Sequence, residues 1–189
     1  MADRADSERI TPGPDAIHAP WRLEYLESLG QAASAPGGDE TRDTGSFLRD
    51  YWLAPEHDGP NRVIVRTGLG IIVLNKFPYS NGHLLAALGE ARPSLIDYEP
   101  DQRAALWRLT ELAADLMERT LQPQGVNIGI NQGRAAGAGI PGHLHVHIVP
   151  RWIGDVNFIT TVGRIRVIPA ALDAMAERYR KVWATLKAP

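Results

Sequence analysis

The stretch that decides the fold is His143-Leu144-His145-Val146-His147-Ile148-Val149-Pro150-Arg151. Histidine and apolar residues alternate here, and a period of two is typical of a β-strand with one buried face. We therefore expect Leu144, Val146 and Ile148 to face a core and the three imidazoles to line the opposite side. Imidazole is the side chain best suited to proton chemistry near neutral pH. The pattern indicates a functional site rather than a solvated surface.

Two chemistries could use three aligned imidazoles, a metal centre or catalysis by the imidazoles themselves. A strand rises about 3.3 Å per residue, so His143 and His147 lie roughly 13 Å apart, whereas zinc ligands must lie about 2.0 Å from one ion. A neighbouring pair would need outside ligands, yet the chain has no cysteine and Asp155 lies beyond the run in a predicted turn. The spacing favours covalent catalysis in which His145 attacks and its neighbours stabilise developing charge. A metal-dependent enzyme stays open as an alternative.

The run is similar to the motif of the histidine triad family of nucleotide hydrolases and transferases, His-x-His-x-His followed by two apolar residues. An upstream segment resembles the family's pattern of Asn, Pro and Gly-His-apolar, namely Asn75-Lys76-Phe77-Pro78-Tyr79-Ser80-Asn81-Gly82-His83-Leu84. A loop resembles its Asn-x-Gly phosphate loop, namely Asn131-Gln132-Gly133-Arg134-Ala135-Ala136-Gly137-Ala138-Gly139-Ile140. Three more pieces resemble the diadenosine tetraphosphate phosphorylase-like (ATP adenylyltransferase) branch, namely Ala19-Pro20-Trp21-Arg22-Leu23-Glu24-Tyr25, Pro150-Arg151-Trp152 and Gly154-Asp155-Val156-Asn157-Phe158.

The resemblance implies catalytic roles for four histidines. It implies that His145 attacks the α-phosphorus of a nucleotide and forms a covalent nucleotidyl-histidine. An unperturbed imidazole, with a pKa of about 6.5, is mostly neutral at pH 7 and needs no separate base to expose its lone pair. By the same resemblance, His143, His147 and His83 share leaving-group protonation and orientation of His145 as a set.

The resemblance also implies a set of substrate-binding residues, which are Asn75, Asn131, Gly137, Ala138, Gly139 and Trp152. An amide side chain suits contact with ribose and phosphate because it both donates and accepts hydrogen bonds. A glycine-rich backbone can approach phosphate oxygens closely. Many relatives have Gln, Ser or Thr at Gly139 or its neighbour Ile140, so backbone groups are expected to replace that side chain here. Trp152 is expected near the phosphate end or at the dimer interface.

Composition limits the class of protein. A length of 189 residues with 44% hydrophobic residues suits one domain, and a net charge of −2 argues against a nucleic-acid-coating protein. No run approaches the roughly 20 apolar residues that span a bilayer, and the polar start lacks a signal peptide, so we expect a cytoplasmic protein without a membrane partner. Many relatives in the branch carry a Cys-x-x-Cys zinc site near Gly45-Ser46-Phe47-Leu48. Because this chain has no cysteine, we expect packing alone to hold that region.

The remaining sequence predicts an α+β domain. We expect a disordered or extended tail over 1–18 and a single histidine triad domain over 19–189, with a flexible loop at about 30–46. A helix is predicted at 21–29, and its apolar stripe indicates either core packing or a subunit contact, of which the contact is favoured. Strands are predicted at 62–66, 69–77, 83–88 and 126–130, a long helix at 101–121 and a closing helix at 172–186. This order suggests an antiparallel sheet with packed helices. The family resemblance implies the same fold, paired edge to edge as a homodimer.

We therefore expect a nucleotidyl transferase or hydrolase that cleaves adenosine phosphoanhydrides such as diadenosine tetraphosphate through a histidine-bound AMP, without a cofactor or a metal. The expected partners are an adenine nucleotide or dinucleoside polyphosphate and inorganic phosphate. Phosphate would resolve the intermediate to ADP, the outcome favoured here, and water would resolve it to AMP. Two alternatives stay open, a nucleoside phosphoramidate hydrolase and a nucleotide-binding sensor with little activity.

Overall fold

An antiparallel sheet organises the described part of the chain. The structure is a computed structural model that describes residues 45–156, 162–163 and 168–187, all within the unit Thr44–Pro189. Its five strands are β1 (Val63–Arg66), β2 (Gly70–Leu74), β3 (Leu84–Leu88), β4 (Gly125–Ile130) and β5 (Val146–Arg151). Their order is β1-β2-β3-β5-β4, and every neighbouring pair is antiparallel. The predicted α+β class is confirmed.

Three α-helices are described beside the sheet, α1 (Phe47–Leu53), α2 (Pro100–Leu121) and α3 (Leu172–Lys187). Helix α2 begins with a capping box between Glu99 and Gln102 and has proline in its first turn. It ends where Gln122 takes a left-handed conformation, with φ of 48°. Short 3-10 turns lie at Pro55–His57, Leu95–Asp97 and Arg134–Ala136. None of the described helices is both long and apolar enough to cross a membrane.

Several predicted features lie outside the described residues. They are the tail over 1–18, the helix over 21–29, the loop up to residue 44, and Asn157-Phe158 of the branch-like piece. Of the predicted loop, only Gly45 and Ser46 are described. The domain boundaries therefore stay predictions.

The sheet carries a core on each face. On one face, strand residues such as Leu84, Val146 and Ile148 pack against buried side chains of α2 and α3, including Leu116 and Tyr179. On the other face the buried cluster is Leu48, Val63, Ile71, Val73, Leu85 and Ala87, with Tyr51, Trp52 and Ile140 packed against it. Strands β2 and β3 are therefore buried along their whole length. This explains their continuous apolar sequences, which do not alternate.

The triad strand is shorter than the sequence suggests. Leu144, Val146 and Ile148 all enter the main core, as the alternation predicts. Regular pairing nevertheless begins only at Val146, which pairs with Ala86. The N–H of Leu144 donates instead to the carbonyl of Arg92, at 2.7 Å. His143 and His145 therefore lie in an extended segment before the ladder, and this corrects the prediction of one continuous strand.

The turn that leads into β3 is held by α3. Gly82, in this turn, has φ of 89°, a conformation that favours glycine. Its carbonyl accepts a hydrogen bond from the buried hydroxyl of Tyr179, at 2.7 Å. Burial raises the pKa of Tyr179, so the hydroxyl stays a neutral donor. Helix α3 thus positions the residue immediately before His83.

Replacing Tyr179 with Phe should destabilise the fold. The ring volume is kept, but the carbonyl of Gly82 loses its donor, and an unsatisfied buried carbonyl costs about 1–3 kcal/mol. Urea unfolding followed by circular dichroism measures the change. Tyr51→Phe is the control, because the Tyr51 hydroxyl has no hydrogen-bond partner among the described residues. Equal unfolding midpoints for the two variants would contradict this role of Tyr179.

Candidate active site

Three histidine rings form a contiguous group on the face of the sheet opposite α2 and α3. His147 lies on β5, opposite Leu85 of β3 and Gly129 of β4. Its ring centroid is 4.9 Å from that of His145 and 5.1 Å from that of His83. His145 retains 4% of its exposure and His83 none. The fold thus brings two triad histidines together with the upstream histidine.

The His145 ring has one nitrogen engaged. Its Nδ1 lies 2.9 Å from the main-chain carbonyl oxygen of His143. A carbonyl can only accept, so Nδ1 carries the proton, and in the neutral ring the lone pair is on Nε2. No hydrogen bond engages Nε2 within the described residues. The middle ring thus presents the unprotonated nitrogen that a nucleophile requires.

The His143 ring is engaged at both nitrogens. It is fully buried. Its Nε2 donates to the carbonyl of Leu88 at 2.8 Å, and its Nδ1 is hydrogen-bonded to the hydroxyl of Ser46. In this arrangement the ring has no proton available for a leaving group. His143 contacts His145 through its main-chain carbonyl, which accepts from Nδ1 of His145.

His83 and His147 form a directed pair. The backbone N–H of Tyr79 donates to Nδ1 of His83 at 3.1 Å. The proton of His83 is therefore on Nε2, which lies 3.0 Å from Nδ1 of His147 and donates to it. In the neutral state His147 then carries its own proton on Nε2. His145 thus offers a lone pair while its neighbour offers an N–H group.

Asn75 supports this pair. Its Oδ1 accepts from the N–H of Phe77 at 3.0 Å, which assigns the amide orientation. Its Nδ2 consequently points to Nδ1 of His83, 3.2 Å away. Both ends of the amide are used inside the turn. Asn75 orients His83 in this structure, and a contact with ribose stays a prediction.

Burial lowers the pKa of all three triad rings. The pKa of His147 falls to about 4, mainly through burial and to a smaller extent through neighbouring His145. Burial also lowers the pKa of His143 and His145, and their hydrogen bonds to backbone carbonyls offset part of the shift. At neutral pH the rings are therefore uncharged, consistent with the tautomers assigned from their partners.

A cavity of about 760 Å³ opens beside the rings. His147 lines it, together with Asn131 and Trp152 from the predicted set and Tyr79 from the upstream segment. His145 does not line the cavity itself and lies next to His147, the one triad ring that does. The volume is large enough for a small-molecule ligand.

The glycine-rich loop approaches the triad from its N-terminal side. Gly137 has φ of 84° and ends the short turn Arg134–Ala136. Gly137 and Gly139 are exposed and Ala138 is half-buried. The carbonyl of Ile140 accepts from the N–H of His143 at 3.1 Å, which joins loop and triad. Within the described part of the chain, the amides of Gly139, Ile140 and Gly142 form no hydrogen bond.

Comparison with known proteins agrees with this geometry. The family model described as HIT domain matches residues 56–152. The chain is 34% identical to AP-4-A phosphorylase of Mycobacterium tuberculosis over 169 residues, which cover 89% of this chain and 84% of that protein. The chain belongs to the histidine triad family. The family expected from the sequence is thereby confirmed.

Two further similar proteins match a smaller part of the chain, and one of them is also less identical in sequence. The chain is 34% identical to the asymmetrical bis(5'-nucleosyl)-tetraphosphatase of Schizosaccharomyces pombe over 97 residues, 51% of this chain and 53% of that protein. A Zn-bound histidine triad family protein from Mycobacterium smegmatis has a crystal structure with a TM-score of 0.59 and 26% identity. That match covers 72% of this chain and 94% of the other.

The described residues do not fit the zinc site expected in many histidine triad relatives. The chain has no cysteine, and the Ser46 hydroxyl is hydrogen-bonded to His143. Within the described ranges, no group of three or more His, Cys, Asp or Glu side chains could hold a metal ion. The region around residues 45–48 is therefore held by packing and by the hydrogen bond of Ser46 with His143, whereas packing alone was expected.

Sequence reasoning missed several residues of this histidine triad site. The Tyr79 ring stacks on His147, with centroids 5.5 Å apart and planes 16° from parallel. Arg151 donates to both carboxylate oxygens of Asp155, at 2.6 and 2.8 Å, and to Oδ1 of Asn127 at 2.8 Å. Asn127 lines the cavity with its Nδ2 as the remaining donor. Tyr79 lies inside the recognised upstream segment, which was the available signal, but its stacking depends on the folded turn.

The His147 ring should titrate in the acid range. Because burial lowers its pKa to about 4, it binds a proton only at low pH. The unfolded chain binds that proton near pH 6.5, so this ring makes stability fall as the pH decreases from about 6.5 to about 4. NMR titration of the ring protons measures the pKa, with His147→Gln identifying the resonance. A midpoint at or above 6.5 would contradict the buried, neutral pair.

Proposed function

We propose that this protein is a nucleotidyl transferase that cleaves diadenosine tetraphosphate or a related adenosine phosphoanhydride through an AMP bound to His145. The observation that carries the proposal is the complementary protonation of two neighbouring rings. His145 presents a lone pair on Nε2, and His147 carries a proton on Nε2. A nucleophile beside a hydrogen-bond donor is what attack on an anionic phosphorus requires.

The first step joins His145 to the nucleotide. The Nε2 lone pair attacks the α-phosphorus, and the bond from phosphorus to the bridging oxygen breaks, releasing ATP from the dinucleotide. The adenylated ring gains positive charge, and its Nδ1–H remains hydrogen-bonded to the carbonyl of His143. That carbonyl dipole stabilises the charge without any change in structure.

The second step releases the nucleotide. An oxygen of inorganic phosphate attacks the same phosphorus, the P–N bond breaks, and its electron pair returns to Nε2 of His145. The product is ADP, and water in place of phosphate would give AMP. The extended similarity to an AP-4-A phosphorylase supports phosphate as the acceptor. The relationship to a tetraphosphatase covers a smaller part of the chain and supports water less.

Hydrogen-bond donors that could bind the phosphate groups lie in two places, the glycine-rich loop and the cavity. In the loop, the amides of Gly139, Ile140 and Gly142 form no hydrogen bond within the described residues. Backbone amides of this kind form anion-binding concavities. In the other place, His147, Asn131 and Trp152 line the cavity. We assign the loop, with Gly137 and Ala138, to phosphate binding and the cavity to the rest of the substrate.

Two further properties are part of the proposal. Strand β4 is the last strand of the sheet and is largely exposed. An edge strand presents a row of backbone groups that can pair with another chain. This supports the homodimer expected from the family resemblance. The cytoplasmic location stays a prediction from the sequence.

Replacing His145 with Ala should abolish turnover and leave nucleotide binding largely intact, because the substituted ring supplies the bond-forming lone pair rather than most of the binding surface. Acid-quenched wild-type mixtures should contain an AMP–protein adduct detectable by mass spectrometry, and the variant should contain none. His57→Ala is the control, since His57 is exposed and lies in the Pro55–His57 turn. Nucleotide binding without an adduct in the wild type would instead support a nucleotide sensor.

Isotope-labelled inorganic phosphate should appear in ADP when diadenosine tetraphosphate is the substrate, since a phosphate oxygen attacks the phosphorus of the AMP bound to His145 and the P–N bond breaks. Chromatography of products formed with and without phosphate measures the acceptor. ATP with AMP in both conditions would contradict phosphorolysis and leave hydrolysis. Faster turnover of an adenosine phosphoramidate than of the dinucleotide would support the phosphoramidate hydrolase.

A further inference from the structure

Ser46 contacts the triad from a distant part of the sequence. It lies immediately before α1 and retains only 3% of its exposure. Its hydroxyl is hydrogen-bonded to Nδ1 of His143, 97 positions away. The same oxygen accepts from the N–H of Arg49 at 3.3 Å, so Ser46 is also the cap of α1. One buried side chain thus joins α1 to the first triad residue.

The direction of the Ser46 bond follows from the other end of the His143 ring. Nε2 of His143 donates to the carbonyl of Leu88, so the neutral ring has its lone pair on Nδ1. The Ser46 hydroxyl must therefore donate to Nδ1. A hydroxyl has one proton to donate and two lone pairs, so it can cap α1 at the same time. Both nitrogens of the His143 ring are anchored to different elements, α1 and β3.

The two ring contacts of His143 hold a segment that is not hydrogen-bonded within the sheet. The first ladder pair of β5 is Val146 with Ala86, so the segment before it is held by individual hydrogen bonds. Two are backbone bonds, from His143 to the carbonyl of Ile140 and from Leu144 to that of Arg92. The others are the ring contacts of His143 with Leu88 and Ser46. The ring contacts therefore help to place the His143 carbonyl, which orients His145.

We propose that Ser46 is a positioning residue for the nucleophile. Its hydroxyl holds the ring of His143, and the carbonyl of His143 in turn holds the tautomer and orientation of His145. In this chain a neutral hydrogen bond lies in the region where many relatives are expected to carry a Cys-x-x-Cys zinc site. The kinetic part rests on the proposed function, whereas the anchoring itself does not.

A neutral hydroxyl suits this place better than a carboxylate. Burial lowers the pKa of His143, the hydrogen bond to the Leu88 carbonyl offsets part of this, and His145 and Arg49 lower the pKa further. The ring is therefore neutral, and its Nδ1 is an acceptor. A carboxylate at position 46 could cap α1 but could not donate to that nitrogen when ionised. It would instead favour a charged His143, with a proton on both nitrogens.

Three substitutions separate positioning from helix capping. Ser46→Ala removes both roles, Ser46→Asp keeps the cap and removes the donor, and Ser46→Thr keeps both. We expect Ala and Asp to lower kcat on diadenosine tetraphosphate about 10- to 100-fold with KM changed less than about threefold, as for a misplaced reacting group. Thr should recover most of kcat. Wild-type kcat in the Asp variant, or losses that follow only the melting temperature of each variant, would overturn the proposal.

NMR of ¹⁵N-labelled histidine rings tests the anchoring without turnover. In the wild type, His143 should show a protonated Nε2 and an unprotonated Nδ1, and His145 the reverse. In Ser46→Ala, His145 should become a mixture of tautomers. A wild-type His143 with its proton on Nδ1 would overturn the proposal, as would an unchanged His145 in the variant. If the expected NMR pattern is found and wild-type protein does not turn over the dinucleotide, the proposed function is wrong and the positioning role stands.

Discussion

The hydrogen bond from Nδ1 of His145 to the main-chain carbonyl of His143 is the contact on which the proposed chemistry of this site depends. It assigns the proton to one side of the ring and leaves the lone pair on the other. The partner lies two residues earlier, and in an extended chain side chains at that spacing share one face. The alternating motif therefore places the proposed nucleophile close to the backbone carbonyl that binds its Nδ1. The rest of the fold fixes the position of that short segment.

The two faces of the sheet are covered by different parts of the protein. One face is packed against α2 and α3, while the other is divided between the small core under α1 and the histidines. The rings are thus buried by protein yet lie next to a cavity that His147 lines. Burial lowers the pKa of these rings, so they stay neutral. The same placement leaves His147 in contact with the cavity and keeps the neighbouring His145 ring neutral.

Most elements could be predicted because their signals are local. The long helix has a 3.6-residue apolar repeat between a proline start and a proline stop, and the structure has it at Pro100–Leu121. The predicted start of the triad strand is too early, because the N–H of Leu144 donates to the carbonyl of Arg92 and not to a neighbouring strand. The contacts that Ser46 and Tyr79 make with the triad could not be predicted, since no periodicity distinguishes a lone polar or aromatic residue that contacts a histidine far along the chain.

By itself, the sequence determined the family, the antiparallel α+β fold and the face on which the histidines lie. These follow from spacing along the chain, since a period of two separates core from site wherever a strand forms. Only the tertiary structure decided where the protons are on the rings. Each tautomer depends on a partner from another element, such as the Leu88 carbonyl for His143 and the Tyr79 amide for His83. Such partners meet only after the chain has folded, because a hydrogen bond forms only when its two atoms are about 3 Å apart in space.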